Sequence, residues 1–296
     1  MIKTWSTPPA NEKKRPVPCA ICGGISFKPF LSCGNFSYVC CGSCGLVQIN
    51  PQPLEEAIKL RYGENYLAYE LANEAAFLNL QLLGLRDCKF EDLGLDTKAG
   101  KNPAQPRPRV LDIGCATGGL LEHLRQKGWE TTGVEICEPQ AEYCRQKRNL
   151  DVRSLPLAEN RFPSGSFDVV LASHLIEHLN DPAALLSEVS RILTPEGRFF
   201  VTTPNIAGFQ ARLFKSRWRS AIADHLYLFS IKTLSRLLAE KGFVIEKTVT
   251  WGGLAAGTAP RPVKYLFDRA AKRFGFGDVV MMRARNSGAK ADREVM

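Results

Sequence analysis

Three groups of residues in this chain have the types and the spacing for chemistry. The first is a pair of carboxylates. Asp112 sits in the apolar run Val110-Leu111-Asp112-Ile113, and the small-residue turn Gly114-Cys115-Ala116-Thr117-Gly118 follows it. Glu135 ends a second apolar run, 21 residues after Gly114. Small residues let backbone approach a ligand closely, and a helix starting at the turn offers unpaired N–H groups beside it. An acid placed like Glu135 accepts hydrogen bonds from ribose hydroxyls, so the pair reads as a site for an adenosine-containing cofactor. Gly114-x-Ala116-x-x-Gly119 is also a degraded dinucleotide fingerprint, which alone is a weak signal. Asp112 argues against it, because it would meet a pyrophosphate with like charge and a cationic amine with opposite charge.

The second group is Ser173-His174-Leu175-Ile176-Glu177-His178, with His225 further along. Its imidazoles and carboxylate could act as a general base or hold a divalent ion. Bracing the turn that follows, and packing for His225, are the structural alternatives. The third group is Cys19-x2-Cys22, then eighteen residues, then Cys41-x2-Cys44. Each knuckle places two thiolates on one side of a tetrahedral ion, and Gly23 and Gly45 supply the permissive backbone it needs. Four cysteines close the coordination shell, so the expected zinc is structural. Cys33 reads as a bystander.

The elements that must position these groups alternate. Strands are expected at 109–113, 130–136, 150–153, 167–172, 197–203, 243–250 and 278–284, and helices at 118–127, 138–147, 181–193 and 230–241. Such alternation builds a parallel sheet covered on both faces, with ligands beyond the strands' C-terminal ends. Before it, residues 1–18 read as a flexible tail, 19–50 as a zinc ribbon, 51–86 as a helical connector and 87–108 as a surface linker. The alternating strands and helices form a domain over 109–286, with an insertion at 205–229, and 287–296 form a second tail.

The segment Val-Leu-Asp-Ile-Gly-Cys-Ala-Thr-Gly resembles motif I of class I S-adenosylmethionine-dependent methyltransferases, with Ala116 replacing the usual middle glycine. Phe-Asp-Val-Val-Leu-Ala-Ser-His-x-Ile-Glu-His-Leu is similar to the family's motif after strand 4. The resemblance implies a Rossmann-like seven-stranded α/β sheet in order 3-2-1-4-5-7-6, the last strand antiparallel. It also implies S-adenosylmethionine as cofactor, held by Asp112, Gly114, Ala116, Gly118, Glu135, Ile136, Leu155 and Ser173. Residues 44–83 resemble the segment that joins a zinc ribbon to the catalytic domain in one branch of the family. A tyrosine there, Tyr62 or Tyr66, would close over the sulfonium. Catalytic candidates are His174, His178 and His225. Ubiquinone-pathway O-methyltransferases carry an acid-x-x-Glu-His arrangement, in which His174 replaces the first acid.

Charge is uneven. Residues 207–296 hold 17 basic and 7 acidic side chains, whereas 111–206 hold 9 and 13. The basic third, including Arg212, Lys215, Arg217 and Arg219, suits an anionic acceptor such as a phosphorylated sugar or lipid-linked glycan intermediate. RNA gripped by the ribbon and this third is the second reading, and an interaction protein with a relict site is the third. Val263, Leu266, Phe267, Ala270, Ala271 and Phe274 share one face of a basic amphipathic helix. Packing, over the acceptor cleft or against a partner subunit, is favoured for that face, and peripheral membrane contact is the alternative. No apolar run approaches the roughly 18 residues of a membrane span. Ten cysteines beside a polar N-terminus fit a cytoplasmic protein of thiols and metal ligands. The oligomeric state is not encoded legibly.

Overall fold

The computed structural model describes residues 12–59, 64–95, 106–254 and 259–287. The outer parts of both expected tails, most of the linker and Tyr62 lie outside the described residues.

The N-terminal part is a small antiparallel module. Strand β1 (Lys14–Arg15) precedes β2 (Phe27–Ser32), β3 (Ser37–Cys41), β4 (Val47–Ile49) and β5 (Gln52–Pro53). Helices α1 (Glu55–Lys59) and α2 (Glu64–Asp87) lead to the catalytic domain. That domain runs β6 (Arg109–Ile113), α3 (Gly119–Gln126), β7 (Glu130–Val134), α4 (Glu138–Arg148), β8 (Asp151–Arg153) and β9 (Phe167–Ser173). It continues with α5 (Pro182–Ile192), β10 (Leu193–Pro204), α6 (Phe209–Phe214), β11 (Tyr227–Leu228) and α7 (Ile231–Glu240). Strand β12 (Phe243–Trp251), helix α8 (Arg261–Phe274) and β13 (Val279–Asn286) complete it.

Seven strands form one sheet in the order β12-β13-β10-β9-β6-β7-β8, with β13 antiparallel to both neighbours. This is the Rossmann-like class I methyltransferase arrangement. Strand β6 lies inside the sheet between β9 and β7, and Val110 to Ile113 are all buried, as a strand covered on both faces requires. Apolar residues at helical spacing supply the cover: Leu120, Leu121 and Leu124 on α3, and Leu185, Leu186, Val189 and Ile192 on α5. The crevice lies where β6 meets β9, since the chain leaves the sheet in opposite directions from these two strands.

Three boundaries differ from expectation. Residues 12–18 are tied down: β1 pairs with β5, and Val17 and Asn50 exchange two 3.1 Å hydrogen bonds. The start of the linker is core, because Cys88 and Phe90 are buried and Phe90 packs on Trp129 and Phe200 at 5.2 and 5.4 Å. Averaging this stretch with the Gly- and Pro-rich residues after it hid its apolar positions. The insertion at 205–229 is bound to the ribbon. Its strand β11 pairs with β4 as the outer strand of the ribbon's sheet. Tyr38 of β3 reaches across, its hydroxyl 2.8 Å from the Ile222 carbonyl and 2.9 Å from that of His225.

Candidate functional site

A cavity of about 1350 Å³ opens beyond the C-terminal ends of β6, β7 and β9. Its floor is the loop after β6. Gly114 takes φ +73° and Ala116 φ +49°, both left-handed. Alanine there carries the strain a glycine avoids, about 1 kcal/mol or more. Glu135 holds this loop to the end of β7. It is buried, and its carboxylate accepts from the N–H of Ala116 at 3.0 Å and of Cys137 at 2.9 Å. Burial raises its pKa to about 6, against the lowering effect of those two N–H groups. Each oxygen keeps a lone pair for a ligand hydroxyl.

Asp112 lies beneath the loop, wholly buried, with Oδ1 lacking a hydrogen-bond partner among the described residues. Burial and the neighbouring Glu135 push its pKa to about 8. A buried carboxylate with one oxygen left unpaired awaits a proton or a nearby cation, which suits a cationic cofactor.

Helix α2 forms the roof. Tyr66, Glu70 and Glu74 all line the cavity, and their i, i+4, i+8 spacing sets them on one face. Glu74 is the anchor. It accepts from Thr117 Oγ1 at 2.5 Å and from Arg148 Nη2 at 2.6 and 2.7 Å, tying roof to floor. Arg148 also pairs with Glu122.

The wall opposite is the histidine cluster. His174 follows β9 with φ +52° and stands exposed at the cavity edge. Its Nδ1 is 3.3 Å from Oε1 of Glu177. Glu177 is wholly buried, and burial opposes its ionisation. The neighbouring His174, then His178 and His225, outweigh that and hold the carboxyl at about 2. His178 and His225 meet edge to face at 4.7 Å. His225 Nδ1 lies 2.8 Å from the Ser220 carbonyl, so Nδ1 carries the proton and Nε2 is the unprotonated ring nitrogen. Burial, then His178, lowers its pKa to about 3, leaving it neutral. Ligand atoms of Glu177, His178 and His225 lie within 4.8 Å of one another. The cluster therefore draws on the insertion through His225 rather than on His174.

The expected cofactor residues divide. Gly114, Ala116, Glu135, Ile136, Ser173 and Tyr66 line the cavity. Gly118 faces away from it: a Cβ there would lie 2.6 Å from Leu150 and 3.0 Å from Cys144. Its role is packing of the loop on α4. Leu155 points to solvent, and Leu157, two residues on, takes the place in the wall. Glu74, Leu157, Gln210 and Tyr227 were not anticipated. The 66/70/74 spacing could have revealed Glu74, whereas Gln210 and Tyr227 depend on a fold that brings the insertion back.

The four cysteines converge. Cys19 and Cys44 sulfurs are 3.3 Å apart, those of Cys22 and Cys41 3.5 Å, and all four lie within 4.8 Å of one another. Tetrahedral zinc at a 2.3 Å bond length separates its sulfurs by about 3.8 Å, so the set fits one ion. Both knuckles close alike: Gly23 and Gly45 have φ +68° and +80° and donate to the Cys19 and Cys41 carbonyls. Cys33 points elsewhere, towards the Ser216 carbonyl. Of the basic rim, Arg219 reaches the cavity but is held by buried Asp278 at 2.7 Å. Arg212, Lys215 and Arg217 are exposed and stand outside the wall.

Sheet order, crevice and acid-pinned loop define the class I methyltransferase fold. A family model described as a methyltransferase domain matches residues 88–248. The chain belongs to that family. It is 32% identical over 141 residues to a probable S-adenosylmethionine-dependent methyltransferase of Mycolicibacterium smegmatis, covering 47% of this chain and 53% of that one. A ubiquinone biosynthesis O-methyltransferase of Pseudomonas aeruginosa is 33% identical over 104 residues, covering 33% and 44%. The chain thus spans about half the length of the curated relatives it matches. Among solved structures, an S-adenosylmethionine-dependent methyltransferase from Archaeoglobus fulgidus matches the fold with a TM-score of 0.52 at 21% identity. It covers 74% of this chain and 99% of that one.

Proposed function

We propose that this chain transfers a methyl group from S-adenosylmethionine to a hydroxyl of a small or lipid-linked acceptor. The observation that carries the reading is the left-handed loop pinned by Glu135, above buried Asp112 and facing the histidine cluster across one cavity. Glu135 would take the ribose hydroxyls, Ile136 and Leu157 the adenine, and Tyr66 the outer side of the cofactor. Asp112 supplies a negative charge beneath a cationic ligand. Bound there, S-adenosylmethionine supplies an activated methyl group on a sulfonium.

The chain's own task is to place the acceptor, exclude water and take one proton. His178 lines the cavity, its ring set edge to face with that of neutral His225. It is the residue we assign to accept the hydroxyl proton, and buried Glu177 stabilises the imidazolium that results. The relatives named as O-methyltransferases support oxygen as the target. Trp251, Leu254 and Met281 give the acceptor side an apolar surface. The ribbon and the residue before it contribute Ala20 and Pro18 to the wall, which favours a part in shaping the cleft over gripping RNA. We assign one structural zinc to Cys19, Cys22, Cys41 and Cys44.

Isothermal titration tests the cofactor. S-adenosylmethionine should bind, and Glu135→Gln should weaken it by roughly tenfold or more, since hydrogen bonds to a charged acceptor are worth about 1.5–3 kcal/mol. Binding of NAD without binding of S-adenosylmethionine would overturn the reading. Incubating cell extract with labelled cofactor and seeking products heavier by one CH2 then identifies the acceptor.

A further inference from the structure

The apolar stripe of α8 is split between two environments. Phe267 and Ala271 turn inward, Phe267 against Phe209 at 4.8 Å and Phe276 at 5.5 Å, with Ala271 buried. Val263, Leu266 and Phe274 remain 51, 66 and 71% exposed. Residues 263, 266, 270 and 274 follow one line along the helix, so the three form a ridge pointing to solvent. Arg269 and Arg273 flank it, and the Arg273 guanidinium lies 5.9 Å from the Phe274 ring centre. The one acid of α8, Asp268, is engaged by Lys264 Nζ and by the N–H groups of Gly253 and Leu254. Beside α8, Arg212-Leu213-Phe214-Lys215-Ser216-Arg217 is exposed at every residue, Leu213 at 58%. No acidic residue occurs from 207 to 223.

We propose that the α8 ridge, with the exposed tip of α6, docks on the surface of an anionic phospholipid bilayer. Bulky aliphatic and aromatic tips flanked by arginines match the boundary between headgroups and acyl chains. There apolar side chains leave water while guanidinium groups stay with phosphate. Binding to nucleic acid would use the arginines and leave Val263, Leu266 and Phe274 in water. The ridge spans fewer than four helical turns, so it lies on the bilayer without crossing it. Lys264 of α8 and Leu254, whose carbonyl accepts from Lys264 Nζ, line the cavity, so the docked helix adjoins the wall of the proposed acceptor site. The inference does not depend on the methyl-transfer reading.

Vesicle co-sedimentation of the full chain tests it. The chain should sediment with phosphatidylcholine vesicles containing roughly 30% phosphatidylglycerol, remain in solution with phosphatidylcholine alone, and release as salt rises. Leu266→Asp with Phe274→Asp should cut the bound fraction more than tenfold, and Arg269→Glu with Arg273→Glu should do the same. All four positions lie outside the cavity wall, so an unchanged melting temperature and unchanged S-adenosylmethionine binding certify the variants as folded. Phosphatidylglycerol vesicles that leave the chain in solution at low salt would overturn the proposal. So would binding indifferent to Leu266 and Phe274, or a dimer that the aspartates dissociate. Lost cofactor binding in the parent chain, with vesicle binding intact, would count against the methyltransferase reading alone.

Discussion

Replacing Asp112 by Asn should stabilise the free protein at neutral pH while weakening its hold on the cofactor. The carboxyl is wholly buried, and its pKa rises from 3.8 to about 8 through burial and then Glu135. The unfolded chain gives up this proton near its ordinary value, whereas the fold keeps it. Stability therefore falls as pH climbs from about 4 to about 8, with the full contribution present only below the ordinary value. At pH 7 the interval above 3.8 is about three units, and at 1.36 kcal/mol per unit the cost approaches about 4 kcal/mol. Asparagine has the same shape and no charge, so it removes this slope. Urea unfolding of both proteins at pH 5, 7 and 8.5 measures it. The wild type should lose stability across the series relative to Asp112→Asn, and the curves should meet at acid pH. A cation bound nearby restores the carboxylate, so S-adenosylmethionine binding should release protons, detectable by titrating in buffers of different ionisation enthalpy. Parallel pH profiles, or no proton release in the wild type, would refute the reasoning.

The remaining expectations concern the ribbon and the loop. Elemental analysis should find about one zinc per chain. Cys41→Ser should lose that zinc and lower the melting temperature, and a metal-free wild type melting unchanged would show the cluster is not structural. Ala116→Gly should stay within about 1 kcal/mol of the wild type by urea unfolding, because relief of the left-handed φ offsets glycine's extra chain entropy. Ala116→Val should cost about 2 kcal/mol or more, since a β-branched residue resists that conformation.

Much of the catalytic sheet was readable, because buried parallel strands and amphipathic helices differ in apolar period. The run 109–113 became β6 without adjustment. Both knuckles were equally legible, since their spacing is local and chemically dictated. What escaped depends on contacts between distant segments. The sequence cannot show that Tyr38 serves His225, 187 residues away, or that Glu74 holds Thr117 and Arg148. His174 and His225 looked equivalent as isolated histidines, yet one is exposed and the other buried. The side chain of Leu155 turns to solvent and that of Leu157 lines the wall, because the short strand before them fixes no register beyond its end. The stripe on α8 was read correctly as a face, but only half of it packs, since α6 and the residues before β13 cover one side alone.

The pairing of β11 with β4 also sets an order of events during synthesis. Ile49 donates to the Leu226 carbonyl, and Tyr227 and Leu228 complete the sheet. By then the ribosome has added almost 180 residues beyond β4, which takes roughly 10 to 35 seconds at bacterial-like rates of about 5–20 residues per second. The knuckles can load metal as soon as Cys44 emerges, but the edge of β4 stays bare throughout that interval. An uncovered strand edge recruits other chains, so a nascent or truncated chain ending before Leu226 is the species that cellular quality control must shield. The cut that seems natural, between ribbon and catalytic domain, would make the same vulnerability permanent in both halves.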